Sequence, residues 1–258
     1  MLLQLEDIVL RFAGNTVLDN VRFGVAEGTV ASLIGPNGAG KTSLFNCITG
    51  FYRPQQGAIT FAGEPLLKRK PHAVTRLGIA RTFQNVRLFR EMTVLENVMA
   101  GQHCRSRAGA LSAVLALPGQ RSEEAHIRNV CEDCLEFVGI GHEADRTATN
   151  LAYGHQRLVE IARALATEPR LLLLDEPAAG LNSTEKAELV TLIQRIRDER
   201  GVAVLLIEHD MGLVMEVSQY ITVLDHGRVI AEGTAGEVQA DPAVIEAYLG
   251  QDEEELAL

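Results

Sequence analysis

The sequence predicts an α/β fold around a mainly parallel sheet, with a small antiparallel β subdomain near the start and a helical subdomain inserted in the middle. Three stretches carry this expectation. Thr29–Ile34 is an apolar, β-prone run that leads into Gly35-Pro36-Asn37-Gly38-Ala39-Gly40-Lys41-Thr42 and then into the helical pattern Ser43–Thr49. Leu171–Leu174 is an unbroken aliphatic run, the texture of a central parallel strand covered on both faces. Leu2–Phe12 and Thr16–Val25 alternate apolar and polar residues on either side of Ala13-Gly14-Asn15, as two antiparallel strands do.

The glycine-rich stretch has the spelling G-x-x-x-x-G-K-S/T, set between a strand and a helix as a phosphate-binding loop requires. A triphosphate is a dense anion, and a loop that wraps it aims many backbone N–H groups inward. Gly35, Gly38 and Gly40 suit the backbone angles this demands. Successive N–H groups form an anion nest, and the following helix adds its positive end. Lys41 is expected to reach the β- and γ-phosphates, Thr42 to give its hydroxyl to Mg²⁺, and Ser43 to bond the α-phosphate. The nucleotide set is therefore Gly35, Pro36, Asn37, Gly38, Ala39, Gly40, Lys41, Thr42 and Ser43.

The whole chain narrows the function class. It has 258 residues, enough for one large α/β domain with an insertion. Apolar residues make up 47% and charged residues 22%, a globular composition. The net charge of −10 speaks against a broad nucleic-acid face, which needs excess positive charge. No signal peptide is visible, and the longest apolar runs, Ala110–Leu117 and Val202–Ile207, fall far short of the roughly 20 residues that cross a bilayer. Any membrane association is thus expected through partners. Cys131 and Cys134 form a lone C-x-x-C in a helical pattern, read as two reduced, packed thiols.

The remaining elements follow in order. Phe12 precedes a turn, where a ring can stack on a purine or fill a strand core. Gly57–Phe61 reads as a strand, Pro71–Leu77 as a helix and Gly78–Phe83 as a strand ending at Gln84. Residues 85–150 show helical patterns and no convincing strand, hence the inserted subdomain. Within it, Thr93 with Glu96 spells a capping box, Arg105–Arg121 reads as loop or short helix, and Glu123–Val138 has helical spacing. His155–Thr167 is a helix, Asn182 with Glu185 caps another to about Asp198, and Val202–Ile207 is a second buried strand. Met211–Val217 is helical, Tyr220–Leu224 and Arg228–Ala231 form a hairpin, and Ala235–Ala240 and Pro242–Leu249 are short helices before a frayed acidic end at Asp252–Glu255.

Asp175 closes the aliphatic strand, at the sheet edge where such folds bind ligands. A carboxylate there can hold Mg²⁺, directly or through water. Glu176 follows with no metal duty to explain it, and can polarise a water for in-line attack on the γ-phosphate.

With these residues in hand, the chain resembles the ABC transporter ATPases from end to end. Gly35–Thr42, Gln84, Leu151-Ala152-Tyr153-Gly154-His155, Leu171–Glu176 and His209 stand in that family's order. It is most similar to the ATP-binding subunits of branched-chain amino acid importers, through Phe45-Asn46-Cys47, Arg81–Val94, Asn150–Gln156, Asp175–Asn182, Ile207–Met211 and Tyr248-Leu249-Gly250. The resemblance implies a single ABC ATP-binding domain over residues 1–258: a β subdomain and phosphate-loop core at 1–84, a helical subdomain at 85–150, and the core again at 151–258.

It also implies roles. Phe12 resembles the adenine-stacking aromatic, Gln84 the glutamine that senses Mg²⁺ and the attacking water, Glu176 the general base, and His209 the histidine that contacts the γ-phosphate and orients that base. Leu151, Ala152, Tyr153, Gly154 and His155 resemble the signature that binds ATP held by a second ATPase subunit, in a homo- or heterodimer. The common signature is L-S-G-G-Q; Ala152 and Tyr153 are frequent in the importer branch, whereas His155 is less usual. Asn182 stands where many members have Asp, and helix capping is a sufficient reason for it.

The implied cofactors are ATP and Mg²⁺. The implied partners are two transmembrane permease subunits, with an extracytoplasmic solute receptor indirectly and no nucleic acid; the implied place is the cytoplasmic face of the membrane. Urea, amide and lipopolysaccharide systems use similar subunits and are the alternatives within transport. A mechanochemical ABC protein would be expected to show a second cassette, a coiled-coil insertion or a basic arm. A non-hydrolysing scaffold would not need Glu176 and His209.

Overall fold

The computed structural model describes residues 1–104 and 118–255. Most of the stretch read as loop or short helix, Arg105–Arg121, and all of Ala110–Leu117 lie outside the described residues.

The β1 strand (Leu3–Phe12) and β2 (Asn15–Val25) form a hairpin in which Phe12 pairs with Asn15. The turn is therefore Ala13-Gly14, with φ of 46° and 92°, the two-residue geometry that matches strand twist. β1 also pairs with β4 (Gln56–Phe61), and a short β5 (Glu64–Pro65) completes a four-stranded antiparallel sheet in the order β2-β1-β4-β5.

The second sheet has the order β10-β9-β3-β8-β7-β6. It comprises β3 (Val30–Ile34), β6 (Ile79–Arg81), β7 (Leu171–Asp175), β8 (Ala203–Ile207), β9 (Tyr220–Asp225) and β10 (Arg228–Gly233). All pairings are parallel except the β9–β10 hairpin. Every residue of β3, β7 and β8 is buried, as their continuous apolar spelling requires.

Strand alternation divides the β7 residues between two cores. Leu172 and Leu174 pack with α3 (Val94–Gln102), α4 (Pro118–Phe137), α5 (Tyr153–Leu165) and α6 (Ser183–Arg200). Leu171 and Leu173 pack instead with α1 (Lys41–Ile48) and the four-stranded sheet. Asp175 continues the second row, so its side chain belongs to the α1 face.

Helix ends follow their capping chemistry. Thr93 and Glu96 form a capping box on α3, and Asn182 and Glu185 form one on α6, which Gly201 ends at φ 64°. Pro71 opens α2 (Pro71–Leu77), and Asp210 caps α7 (Met211–Val217). α8 (Ala235–Ala240) precedes α9 (Pro242–Glu255).

Several boundaries differ from the expectation. The described part of α4 already covers Pro118–Ser122, ahead of Glu123. α5 starts at Tyr153, two residues before His155, with Ala152 as its N-cap. α9 stays helical through Glu255 in place of the frayed acidic end, since no helix breaker follows Pro242 other than Gly250.

Cys131 and Cys134 are buried thiols whose pKa values burial pushes up to about 12 and about 11, which leaves them unreactive packing groups. Among the described residues no helix is long and apolar enough to cross a membrane.

Candidate functional site

The site is built where β3 turns into α1. Gly35 has φ 144°, and a Cβ there would lie 1.9 Å from the carbonyl oxygen of Leu224, so no side chain fits. The hairpin that holds Leu224 also braces the loop through Gly227 N–H, which donates to the Ala39 carbonyl at 3.0 Å. Tyr248 of α9 is a further brace: burial pushes its hydroxyl up, and a hydrogen bond with the Gly35 backbone partly offsets this. The C-terminal helix thus reaches the base of the loop.

Lys41 is buried, 6% exposed, and its Nζ donates to the carbonyls of Gly35 at 2.6 Å and Pro36 at 2.8 Å. Burial pushes its pKa down, against the pull of Glu176 and Asp175. The start of α1 carries no side-chain cap and no acidic residue in its first turn, and Thr42 is exposed there. An uncapped helix N-terminus with a buried ammonium beside it suits a polyphosphate. Among the described residues no group of three metal-type side chains occurs. Mg²⁺ shared with a phosphate needs only one or two protein oxygens, and Thr42 and Asp175 are groups of that kind.

The residues singled out across the chain converge on Glu176. Gln84 Nε2 donates to Glu176 Oε2 at 2.7 Å, and His209 Nε2 lies 3.0 Å from Glu176 Oε1. Glu176 itself sits at φ 49°, a left-handed backbone that costs a non-glycine residue roughly 1–2 kcal/mol. Its N–H donates to the Ile207 carbonyl at 2.9 Å, which ties the strained residue to the end of β8 two residues before His209. Such strain at a convergence of polar groups points to use.

Phe12 is 44% exposed and meets Tyr52 edge-on, with ring centroids 5.1 Å apart. The exposed part of the ring is not spent in a strand core. The stretch Leu151–His155 opens α5, again with no side-chain cap and no acid in the first turn. A Cβ on Gly154 would lie 2.5 Å from Glu185 Oε1, so this glycine leaves room for the α6 capping box. Tyr153 is exposed, and a Cβ on Gly180 would approach its ring to 3.0 Å. His155 turns away from the loop residues: its Nδ1 is 3.5 Å from Oε1 of the buried Glu143, which Arg146 also binds at 2.6 Å. Asn182 Oδ1 accepts from the N–H of Thr184 and Glu185, so capping accounts for it.

Three further residues hold this geometry without a motif that marks them in the sequence. Arg157 is 1% exposed and donates to the carbonyls of Phe83 at 2.7 Å and Gln84 at 2.8 Å, with a longer 3.4 Å bond to that of Glu176. Its position on the apolar stripe of α5 was the available signal. Glu208, 4% exposed, accepts from the N–H of Ala178 at 2.6 Å and His209 at 3.0 Å, which buckles the two sides of the Glu176–His209 contact together. Arg81 binds Asp175, and the signal was a charge inside a short buried strand.

A parallel sheet carrying this loop, with a carboxylate flanked by Gln84 and His209, defines a phosphate-loop nucleoside triphosphatase. The family model "ABC transporter" matches residues 18–179, and "Branched-chain amino acid ATP-binding cassette transporter" matches residues 228–254. The high-affinity branched-chain amino acid transport ATP-binding protein BraF of Pseudomonas aeruginosa is 46% identical over 97% of this chain and 98% of its own. LivG of Escherichia coli, described in the same words, is 45% identical over the same shares. The crystal structure of MJ1267, an ATP-binding cassette of an ABC transporter in its ADP conformation, superposes with a TM-score of 0.84 at 34% identity, over 96% of this chain and 98% of that one. The chain belongs to the ABC transporter family, in the branch of branched-chain amino acid ATP-binding cassettes, and is an ATPase of that family.

Proposed function

We propose that this chain binds ATP with Mg²⁺ and hydrolyses it to power an importer of branched-chain amino acids. The observation that carries the reading is the meeting of Gln84 and His209, 125 residues apart in sequence, on the two oxygens of Glu176.

The roles follow from placement. The loop Gly35–Ser43 holds the triphosphate through backbone N–H groups and the α1 N-terminus, and Lys41 exchanges its two carbonyl partners for phosphate oxygens. Mg²⁺, when bound, offsets charge on the β- and γ-phosphates. Thr42 and Asp175 would hold that ion, with Gln84 as a further oxygen group for it. Glu176 takes a proton from the attacking water, held in place by its two side-chain partners. Phe12 stacks on the adenine.

Leu151–His155 presents a helix N-terminus, which suits an anion supplied from outside the chain. The second half of the site is thus ATP bound by a paired ATPase subunit, and nucleotide-driven closure and reopening of that pair is the power stroke. The helical segment 85–150 transmits it to two transmembrane permease subunits. Asn85–Val98 supports this: the fully buried Asn97 holds the carbonyls of Phe89 and Thr93 at 3.1 and 2.9 Å, and Phe89 and Met92 stand exposed beside it. Solute reaches the complex through an extracytoplasmic receptor, and this chain lies on the cytoplasmic face.

The test is reconstitution of the chain with its permeases and receptor in proteoliposomes. Leucine, isoleucine or valine should stimulate ATP hydrolysis. Stimulation by urea or amides alone would overturn the solute assignment.

A further inference from the structure

Arg81 has an unusual setting for a cation. Its side chain is 7% exposed on the last residue of β6, and its Nη2 donates to Asp175 Oδ2 at 2.7 Å, where the Asp175 side chain is 4% exposed. Nη1 donates to Asn46 Oδ1 at 2.7 Å and lies 3.4 Å from Thr49 Oγ1. The guanidinium sits 5.4 Å from the Phe45 ring centroid and 5.2 Å from that of Phe83, while Nε has no partner. Burying a charge with one donor unmet is costly, and a hydrophobic pair often serves stability as well or better. Stability alone therefore does not explain this residue.

What the arrangement does fix is a distance. Asn46 stands four residues after Thr42, on the same face of α1. Arg81 joins that face to Asp175 through one planar, rigid fork. Thr42 and Asp175 are the two groups that hold Mg²⁺ in the proposed function. The rings of Phe45 and Phe83 near the guanidinium restrict how far the fork can swing. Strand register aids this: Arg81 pairs with Leu173, two residues before Asp175, and the alternation puts both side chains on the α1 face.

We propose that Arg81 is a positioning residue that sets the spacing between Thr42 and Asp175, and so the affinity for Mg²⁺ in the nucleotide site. The inference rests on the reading of Asp175 as a Mg²⁺ group. The charge remains near Asp175 in Arg81→Lys, but the two-armed reach to Asn46 and Asp175 is lost.

The test titrates binding of a fluorescent ATP analogue against free Mg²⁺, and repeats it in EDTA. Arg81→Met should raise the half-saturating Mg²⁺ about tenfold, the scale of one charge-assisted hydrogen bond. Binding in EDTA should stay within about twofold of wild type, because the phosphate loop is untouched. Arg81→Lys should recover part of the loss. Asn46→Ala, which removes one neutral arm and leaves the buried ion pair, should raise the requirement by about threefold and serves if Arg81→Met does not fold. An unchanged Mg²⁺ requirement in Arg81→Met, or in Asn46→Ala should the first not fold, overturns the proposal. The double variant Arg81→Met/Asp175→Asn should show no further change beyond Asp175→Asn; an additive effect also overturns it. An unaltered requirement in Asp175→Asn alone refutes the Mg²⁺ role of Asp175, a result distinguishable from the failure of the Arg81 proposal.

Discussion

His209 Nε2 lies 3.0 Å from Glu176 Oε1, across the gap between the ends of two neighbouring parallel strands. The contact depends on more than its two members. Glu208 holds the backbone on both sides of it, and the left-handed Glu176 backbone aims the carboxylate toward the imidazole.

Glu176→Gln keeps the shape and removes the proposed base. Phosphate release is expected to fall by at least about 100-fold, the low end of what a positioned general base contributes. ATP binding should persist, and the paired form should accumulate in size-exclusion chromatography with ATP. Turnover at the wild-type rate would show that another group takes the proton.

Lys41→Ala removes a buried ammonium bonded to two carbonyls of its own loop. Those carbonyls lose partners and the phosphates lose a charged donor. Affinity for ATP is expected to drop by roughly 10- to 100-fold, the range for charged hydrogen bonds. Equilibrium dialysis with labelled ATP measures it directly.

Arg157→Met leaves Glu160 buried with one fewer cation and strips donors from the carbonyls of Phe83 and Gln84. Breaking a buried pair from one side costs about 3–5 kcal/mol, so Tm should fall by roughly 10 °C. A shift below about 3 °C would mean the site relaxes around the loss.

Glu143→Gln tests the contact made by His155. Burial pushes the Glu143 carboxyl up, but Arg146, His142 and His155 outweigh it and hold the group below its usual range. A folded-state pKa below the unfolded value means that stabilisation is complete above the unfolded value of about 4.3 and is lost as pH falls through the folded one. The stability gap between wild type and Glu143→Gln should be widest near pH 5, keep its Arg146 part at higher pH where the histidine charges are lost, and close on acidification below about pH 4. Urea melts across this range report it.

Local chemistry made much of this molecule readable in advance. Gly35–Thr42 has few alternative meanings, the Leu171–Leu174 run can only be a doubly covered strand or a buried helix segment, and the Asn182–Glu185 box states where α6 begins. Gln84 and His209 were legible only through family resemblance, because nothing near either one in sequence explains it. Arg81, Arg157 and Glu208 do not stand out in the sequence, since each has a decisive partner far along the chain: Asp175 for Arg81, the Phe83 carbonyl for Arg157 and the Ala178 N–H for Glu208. Periodicity records which faces are apolar; it does not say which charge on such a face has found a partner. The start of α5 at Tyr153 is hard to read for a related reason: small residues fit a first turn and a loop equally well.

Arg157 has a mechanical consequence. By chain contour, the opening of α5 and Gln84 are some seventy residues apart, yet one guanidinium rooted a single turn into that helix grips the Gln84 carbonyl. Along this route a tilt of the helix start becomes a pull on the backbone that carries Gln84, and then on the carboxylate it holds. The element that would greet a neighbour's nucleotide and the element that inspects the chain's own are ends of one tie rod, about as long as an arginine side chain.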